Sequence, residues 1–191
     1  MSPFCSGPAD GLDRHDTDPA AALAALRPPI ICRIDGGCHS VGLELALATD
    51  IRVCSADSVF SLADVHDGVL PSWGGTQRLS RAIRPAEATA MLLTGSHLEA
   101  VRAASLGLVH QVAADRAELD TSVESLIETL LGLGPLALEL TKEAVHRGSE
   151  LPLRDGLRLE GDLNHQLAAT QDRAEGLQAF FDKRPPDFSG R

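Results

Sequence analysis

Residues 35–48 limit the fold of this chain most strongly, because a glycine-rich turn runs directly into an apolar helix that contains one acid. The segment reads Asp-Gly-Gly-Cys-His-Ser-Val-Gly-Leu-Glu-Leu-Ala-Leu-Ala, and the acid within the apolar part is Glu44. A carboxylate among Leu and Ala is costly to bury unless it has a partner or a function. The glycines let the backbone approach a ligand and direct its N–H groups towards negative charge. The pattern predicts a ligand-lining turn with Glu44 as a catalytic candidate; the alternative is an acid that only favours the helix dipole.

A second acid, Asp64, lies between a short strand-like run at residues 58–62 and a Gly/Pro-rich loop at residues 67–75. Two carboxyl groups that face one pocket, together with backbone N–H donors, can transfer protons beside a thioester. We therefore expect Glu44 and Asp64 to share a cavity. His39 and His66 stand close to the two acids in sequence, and we interpret both as polar loop residues without a catalytic role.

Length and composition are those of a globular domain with an acidic surface. The chain has 191 residues, of which 43% are hydrophobic and only 3% aromatic, so the predicted core consists mainly of Ala, Leu, Val and Ile. The net charge is −10, and there is no basic run, which argues against nucleic acid as a partner. No apolar run approaches the roughly 20 residues of a membrane span.

Four cysteines stand at positions 5, 32, 38 and 54, without a CxxC pair and without histidines at zinc-finger spacing. This pattern favours reduced thiols in a cytoplasmic protein over disulfides or a metal site. The first residues carry acids and prolines rather than the basic and apolar regions of a signal peptide.

Local patterns predict strands and helices in alternation, followed by helices alone. Helices are expected from Pro19 to Leu26, after the glycine turn, from Gly74, from Pro85 to Leu93 and after residues 96–99, which we interpret as a capping box. Strands are expected at residues 30–34, 50–54, 58–62 and 108–112. From residue 116 onward the pattern is helical, with breaks at residues 132–135, Pro152 and Thr170, and Asp172 is interpreted as part of the cap of the last helix. The predicted division is residues 1–115 and 116–191.

Four blocks in this order resemble the crotonase superfamily, also called the enoyl-CoA hydratase/isomerase family. They are residues 4–10 (Phe-Cys-Ser-Gly-Pro-Ala-Asp), residues 35–53 around Glu44, residues 60–79 with the Gly-Gly-Thr-Gln-Arg-Leu run, and the set formed by residues 93–95, 103–109, 172–176 and 179–184. Each block alone is weak, whereas all four together are specific for the family but not for the reaction.

The resemblance implies an α/β fold, a spiral of ββα turns shortened at its N-terminus, with an all-helical C-terminal region that builds a homotrimer or a dimer of trimers. It implies an acyl-CoA substrate and no metal or other cofactor. Glu44 matches the position that activates water, and Asp64 matches the position that exchanges a proton at C2 of the acyl chain. The backbone N–H groups of Val41 and Ala9 would form the oxyanion hole, and Phe180 and Lys183 match positions that contact CoA.

Three departures from the family pattern bear on activity. The chain begins close to the first block, where family members have some tens of residues before it, so we expect an incomplete spiral. An ungapped comparison places Pro8, which has no N–H, on the first oxyanion position, whereas one inserted residue places Ala9 there. Asp64 stands where hydratases usually have Glu, and Asp is one methylene shorter.

These features leave three interpretations open. The first is an enoyl-CoA hydratase that uses Glu44 and Asp64. The second is an enoyl-CoA isomerase in which Asp64 alone moves the proton. The third is a truncated, non-catalytic paralogue that binds CoA or assembles with full-length relatives.

Overall fold

A computed structural model describes residues 18–191 of the chain. Its strands are β1 (Ile31–Ile34), β2 (Gly37–His39), β3 (Ile51–Ser55), β4 (Val59–Ser61), β5 (Leu98–Glu99) and β6 (Gln111–Ala113). Its helices are α1 (Pro19–Ala24), α2 (Val41–Leu47), α3 (Gly75–Ala82), α4 (Pro85–Thr94), α5 (Ala100–Leu106), α6 (Arg116–Leu131), α7 (Pro135–Ser149), α8 (Leu153–Ala168) and α9 (Gln171–Asp182). A short 3-10 helix covers Asp64–Asp67.

The strands form two separate three-stranded sheets. The first has the order β1-β3-β6 and is entirely parallel. In the second, with the order β2-β4-β5, β2 and β4 are parallel and pair His39 with Ser61, while β5 joins β4 in the antiparallel direction. Because β2 and β4 are parallel, the segments that follow them leave from the same edge of the sheet.

The core is aliphatic, as its composition predicts. Its fully buried members include Phe60 and four leucines, from α2, the end of β4, α3 and the segment before β6: Leu43, Leu62, Leu79 and Leu108. A smaller cluster of Val53, Ala113 and Leu119 packs α6 against β3 and β6. The first cluster fixes α2 to the strands on which it packs.

Arg52 on β3 ties the C-terminal end of α2 to the rest of the core. Its guanidinium donates hydrogen bonds to the carbonyl oxygens of Leu108 at 2.6 Å, Thr49 at 2.8 Å and Ala46 at 3.4 Å. Burial lowers the pKa of this guanidinium, and the nearby Cys32 and Asp50 oppose that effect. A cation at the C-terminal carbonyls of α2 stabilises the helix through its dipole.

The C-terminal region consists of α6 to α9, with breaks where the sequence predicts them. Gly134 and Pro135 begin α7, and the hydroxyl of Thr170 accepts the N–H of Arg173 at the start of α9. Helices α7 and α8 pack against each other, and α9 packs on α8. Within residues 18–191, none of the helices is both long and apolar enough to cross a lipid bilayer.

Three local predictions are wrong in detail. Residues 37–39, expected as part of a turn, form β2. The expected capping box at residues 96–99 does not form, because Leu98 and Glu99 pair with β4 and α5 begins only at Ala100. Asp172 does not cap α9; its carboxylate is buried and accepts N–H groups from Ser189 at 2.7 Å and Gly190 at 3.0 Å.

Candidate active site

Glu44 lies in the middle of α2 and is only 1% exposed. Its Oε1 atom accepts two backbone hydrogen bonds, from the N–H of Trp73 and the N–H of Gly75, both at 2.8 Å. The carboxylate is therefore paired with main-chain donors of the loop that leads into α3. Two donors on one oxygen fix the orientation of the carboxylate, because a buried acceptor without partners costs free energy.

Asp64 is the first residue of the 3-10 helix that follows β4. Its Oδ2 atom is buried and has no hydrogen-bond partner within residues 18–191. Buried side-chain oxygens normally have a partner, so this oxygen is free to accept a hydrogen bond from a ligand. Glu44 and Asp64 thus have contrasting surroundings.

Val41 is the first residue of α2, so its N–H has no acceptor inside the helix. The preceding residue, Ser40, has φ 45° and ψ −117°, a conformation that is strained for any residue with a side chain. The N–H of Ser40 donates to the carbonyl of Ser61 on β4 at 2.9 Å. This bond ties the strained turn to β4, directly before the N–H of Val41.

The side chains of His39 and Ser61 join the same two strands just before the candidate residues. His39 Nδ1 lies 2.7 Å from Ser61 Oγ, and the His39 ring stands edge-on to His97 with ring centroids 6.0 Å apart. This hydrogen bond connects β2 to β4 at the residue directly before Ser40. The interpretation of His39 as a loop residue is wrong, since it ends β2.

The structure brings Val41, Glu44 and Asp64 to one edge of the β2-β4-β5 sheet. Gly75 shows how closely this region is packed: a Cβ atom there would lie 3.0 Å from Glu44 Oε1 and also 3.0 Å from Leu62 Cδ1. The carboxylate of Glu44 therefore lies beside the end of β4, two residues before Asp64. Whether both acids line one cavity stays a prediction.

Phe180 and Lys183 lie elsewhere in the chain, at the end of α9. Phe180 is 77% exposed and stacks edge-on against Phe181, which is 74% exposed. Lys183 is the exposed C-cap of the helix, with φ 55°. Ala9 and Pro8, the two candidates for the first oxyanion donor, lie outside the described residues.

A cleft of about 430 Å³ lies near the C-terminal region, and its walls are apolar. Its lining comes from the segment before β1, from β1 itself, from α6 and from α7, and includes Pro28, Ile31, Ile127, Leu130 and Leu138. Neither Glu44 nor Asp64 lines this cleft. Within residues 18–191, no three His, Cys, Asp or Glu side chains gather as a metal site would require.

The thiols of β1, β2 and β3 lie in the core beside α2. Cys38 and Cys54 are buried and Cys32 is half-buried, and all three are free. Burial, reinforced by the neighbouring thiols, raises the pKa of Cys38 to about 12, and burial raises the pKa of Cys54 to about 11. These groups are therefore protonated and unreactive at neutral pH.

Comparison with known proteins identifies close relatives along almost the whole chain. A family model described as enoyl-CoA hydratase/isomerase matches residues 8–191. The chain is 39% identical over 172 residues to the human protein named enoyl-CoA hydratase domain-containing protein 2, mitochondrial, covering 88% of this chain and 59% of that one. It is 38% identical over 179 residues to 2,3-dehydroadipyl-CoA hydratase of Escherichia coli K12, covering 93% of this chain and 70% of the relative.

The fold is also that of solved structures. The crystal structure of enoyl-CoA hydratase from Bacillus anthracis superposes with a TM-score of 0.84 at 32% identity, covering 90% of this chain and 66% of that one. The chain thus spans about three fifths to two thirds of the length of several of these proteins.

Proposed function

This chain belongs to the enoyl-CoA hydratase/isomerase family, the crotonase superfamily, and from that premise we propose that it adds water across the 2,3-double bond of an acyl-CoA. One observation carries the proposal. A buried glutamate held by two main-chain N–H groups follows β2, and an aspartate whose buried oxygen has no partner within residues 18–191 follows the parallel strand β4, so both segments leave the same edge of the sheet as Val41. This is the set of groups that hydration of an enoyl thioester needs.

Glu44 is the base in this mechanism. Its carboxylate takes a proton from water while the water oxygen forms a bond to C3 of the enoyl group. Hydrogen bonds from Trp73 and Gly75 to Oε1 hold the carboxylate in place, so that its orientation does not have to be established during the reaction.

The electron pair of the double bond moves to the thioester oxygen, which becomes an enolate. The N–H of Val41 is a donor for that oxygen, and Ala9 is proposed as the second donor. Asp64 then gives its proton to C2, which completes the 3-hydroxyacyl-CoA. Glu44 holds a proton and Asp64 has lost one, and exchange with solvent resets both. Every proton passes through side chains or water, so the mechanism requires no metal or redox cofactor.

We further propose that Phe180 and Lys183 contact the CoA moiety in an assembly of several copies, as a homotrimer or a dimer of trimers. The exposure of the Phe180–Phe181 pair and of Leu153, which is 79% exposed on α8, supports an interface on this region. The sedimentation velocity of the purified chain measures the number of subunits. The cytoplasmic location expected from the cysteines stays a prediction, because several relatives are named as mitochondrial.

The test compares two substrates with three proteins. Crotonyl-CoA reports hydration and a 3-enoyl-CoA reports double-bond isomerisation. For the wild-type chain we expect hydration. For Glu44→Gln, which keeps an oxygen to accept the Trp73 and Gly75 N–H groups, we expect kcat to fall by about 10²–10⁴, the usual contribution of a general base. Asp64→Asn should lose a similar factor.

Two results would contradict the hydratase proposal. If Asp64→Asn abolishes turnover of the 3-enoyl-CoA while Glu44→Gln leaves it intact, the chain is an isomerase, a reaction for which an acid with one unpartnered oxygen is sufficient. If the folded wild-type chain turns over neither substrate, it is a non-catalytic member of the family, and its binding of CoA can be measured by calorimetry.

A further inference from the structure

The orientation of Asp64 depends on a very short element. The 3-10 helix Asp64–Asp67 is a single turn, and its N-cap residue, Ala63, offers no side-chain hydrogen bond. Its main-chain bonds are local, for example from the N–H of His66 to the carbonyl of Ala63 at 3.0 Å. A single 3-10 turn has little stability of its own, so what holds it from outside decides where the Asp64 carboxyl points.

His66 provides such an external contact. Its Nε2 atom lies 2.9 Å from the carbonyl oxygen of Thr94, the last residue of α4. A carbonyl oxygen can only accept, so Nε2 carries the hydrogen in this bond. The bond joins the 3-10 helix to the C-terminus of α4, where the helix dipole also favours a donor of positive character.

The imidazole ring fits against a position without a side chain. A Cβ atom on Gly95 would lie 2.6 Å from both Cε1 and Nε2 of His66, and 3.2 Å from Cβ of Ala63. Gly95 ends α4 in the left-handed conformation, with φ 65°. The side chains of Ala63 and His66 therefore both pack against Gly95, and Asp64 lies between these two residues in sequence.

We propose that His66 is a positioning residue for Asp64: by bonding Thr94 and packing on Gly95, it holds the 3-10 helix in the orientation that presents the Asp64 carboxyl for proton transfer. The inference rests on the proposed function, in which Asp64 is the proton donor. Its physical basis is that proton transfer depends steeply on geometry, since a misplacement of about 1 Å can cost 10²-fold in rate.

The experiment uses His66→Ala, His66→Gln and, as a matched control, His165→Ala, which removes an exposed histidine from α8. Gln places an amide N–H close to the position of Nε2 and can restore the bond to Thr94. We expect His66→Ala to lower kcat for hydration about tenfold with little change in KM, as a displacement of about half an ångström would. His66→Gln should recover most of that loss, and the control should match the wild type.

A double mutant separates positioning from general damage. If His66 acts through Asp64, adding His66→Ala to Asp64→Asn causes no further loss of kcat. An equal loss in both backgrounds would refute the inference and indicate general destabilisation. Wild-type kcat in His66→Ala, together with an inactive Asp64→Asn, would also refute it, but would leave the proposed function intact.

A second measurement does not depend on turnover. In protein labelled with ¹³C at the aspartate carboxyl groups, the Asp64 resonance is the one that disappears in Asp64→Asn. We expect His66→Ala to shift this resonance and His165→Ala to leave it in place. An unchanged Asp64 resonance in His66→Ala overturns the inference even if the chain proves to be non-catalytic.

Discussion

Replacing Gly75 with alanine tests how tightly Glu44 is packed. The added Cβ atom would lie 3.0 Å from Glu44 Oε1, 3.0 Å from Leu62 Cδ1 and 3.0 Å from Pro71 Cβ. Two carbon atoms are normally farther apart than this, so at least two neighbours must move by a few tenths of an ångström. The Leu62 methyl can move by side-chain rotation. The Pro71 ring is rigid, and the Glu44 carboxylate is held by two hydrogen bonds, so neither can move away freely.

Overpacking of this kind costs about 1–3 kcal/mol in the free energy of unfolding. For a chain of this size, each kcal/mol lowers the melting temperature by about 2–4 °C, so Gly75→Ala should melt about 2–12 °C below the wild type. Displacement of the carboxylate by a few tenths of an ångström should also lower kcat, by up to roughly tenfold. Differential scanning calorimetry and the crotonyl-CoA assay measure the two effects.

Gly161→Ala is the matched control. Gly161 lies inside α8, and within residues 18–191 no atom beyond its chain neighbours and its own helix backbone would come within 4 Å of an added Cβ. Since alanine is favoured over glycine in a helix by about 0.5–1 kcal/mol, this variant should melt at or above the wild-type temperature. The packing argument fails if Gly75→Ala is as stable as Gly161→Ala, or if its kcat equals that of the wild type.

Three further predictions concern other parts of the molecule. Arg52→Met removes the guanidinium donor from the carbonyl oxygens of Leu108 and Thr49, and from that of Ala46, which keeps its bonds from Thr49. We expect the free energy of unfolding in urea titrations to fall by about 1–3 kcal/mol, and an unchanged value would contradict the role of Arg52 at the end of α2. The hydrogen bond from Arg184 is the main reason that the pKa of Glu175 is lowered to about 2, so the stability that Glu175 contributes is present above about pH 4.5 and is lost towards pH 2. The difference in melting temperature between the wild type and Glu175→Gln should therefore shrink as the pH falls over that range. A constant difference would refute the pairing. In a Cys5→Ser background, Cys38 and Cys54 should react with a disulfide reagent at pH 8 only after unfolding, and fast labelling of either thiol in the native protein would contradict their burial.

The alternation of strands and helices could be predicted because local patterns and tertiary structure agree over most of the chain. Asp18 and Pro19 begin α1 as the sequence indicates, and the carboxylate of Asp18 accepts the N–H groups of Ala20 and Ala21. The breaks before α7, α8 and α9 follow the Gly-Pro pair, Pro152 and Thr170. Helix caps and helix-breaking residues act on neighbours within a few positions, so they can be recognised from the local sequence alone.

The errors occur where a distant segment competes with a local signal. Residues 96–99 have the pattern of a capping box, but backbone pairing with β4, some forty residues earlier, makes Leu98 and Glu99 a strand. Asp172 has the composition of a helix cap, but Thr170 occupies that position and Asp172 binds the C-terminal residues instead. Neither partner can be inferred from the neighbouring sequence.

The same reason explains what could be predicted of the candidate site. The sequence indicates Glu44 and Asp64 through their unusual surroundings and the family resemblance. The two N–H donors of Glu44 come from residues 29 and 31 positions away, and no local pattern connects them to it. His66 resembled an ordinary loop residue, because its bond to Thr94 spans 28 positions.

Glu44 has a structural task besides its proposed part in the chemistry. Because its carboxylate accepts the Trp73 and Gly75 N–H groups, it also organises the loop between them, and removing it would leave one half-buried and one buried donor without this partner. Selection for a folded protein alone therefore retains a hydrogen-bond acceptor at this position, which glutamine can also supply. A descendant that had lost all turnover could keep the glutamate, so measured activity, rather than the presence of Glu44 in an alignment, distinguishes working enzymes from inactive copies.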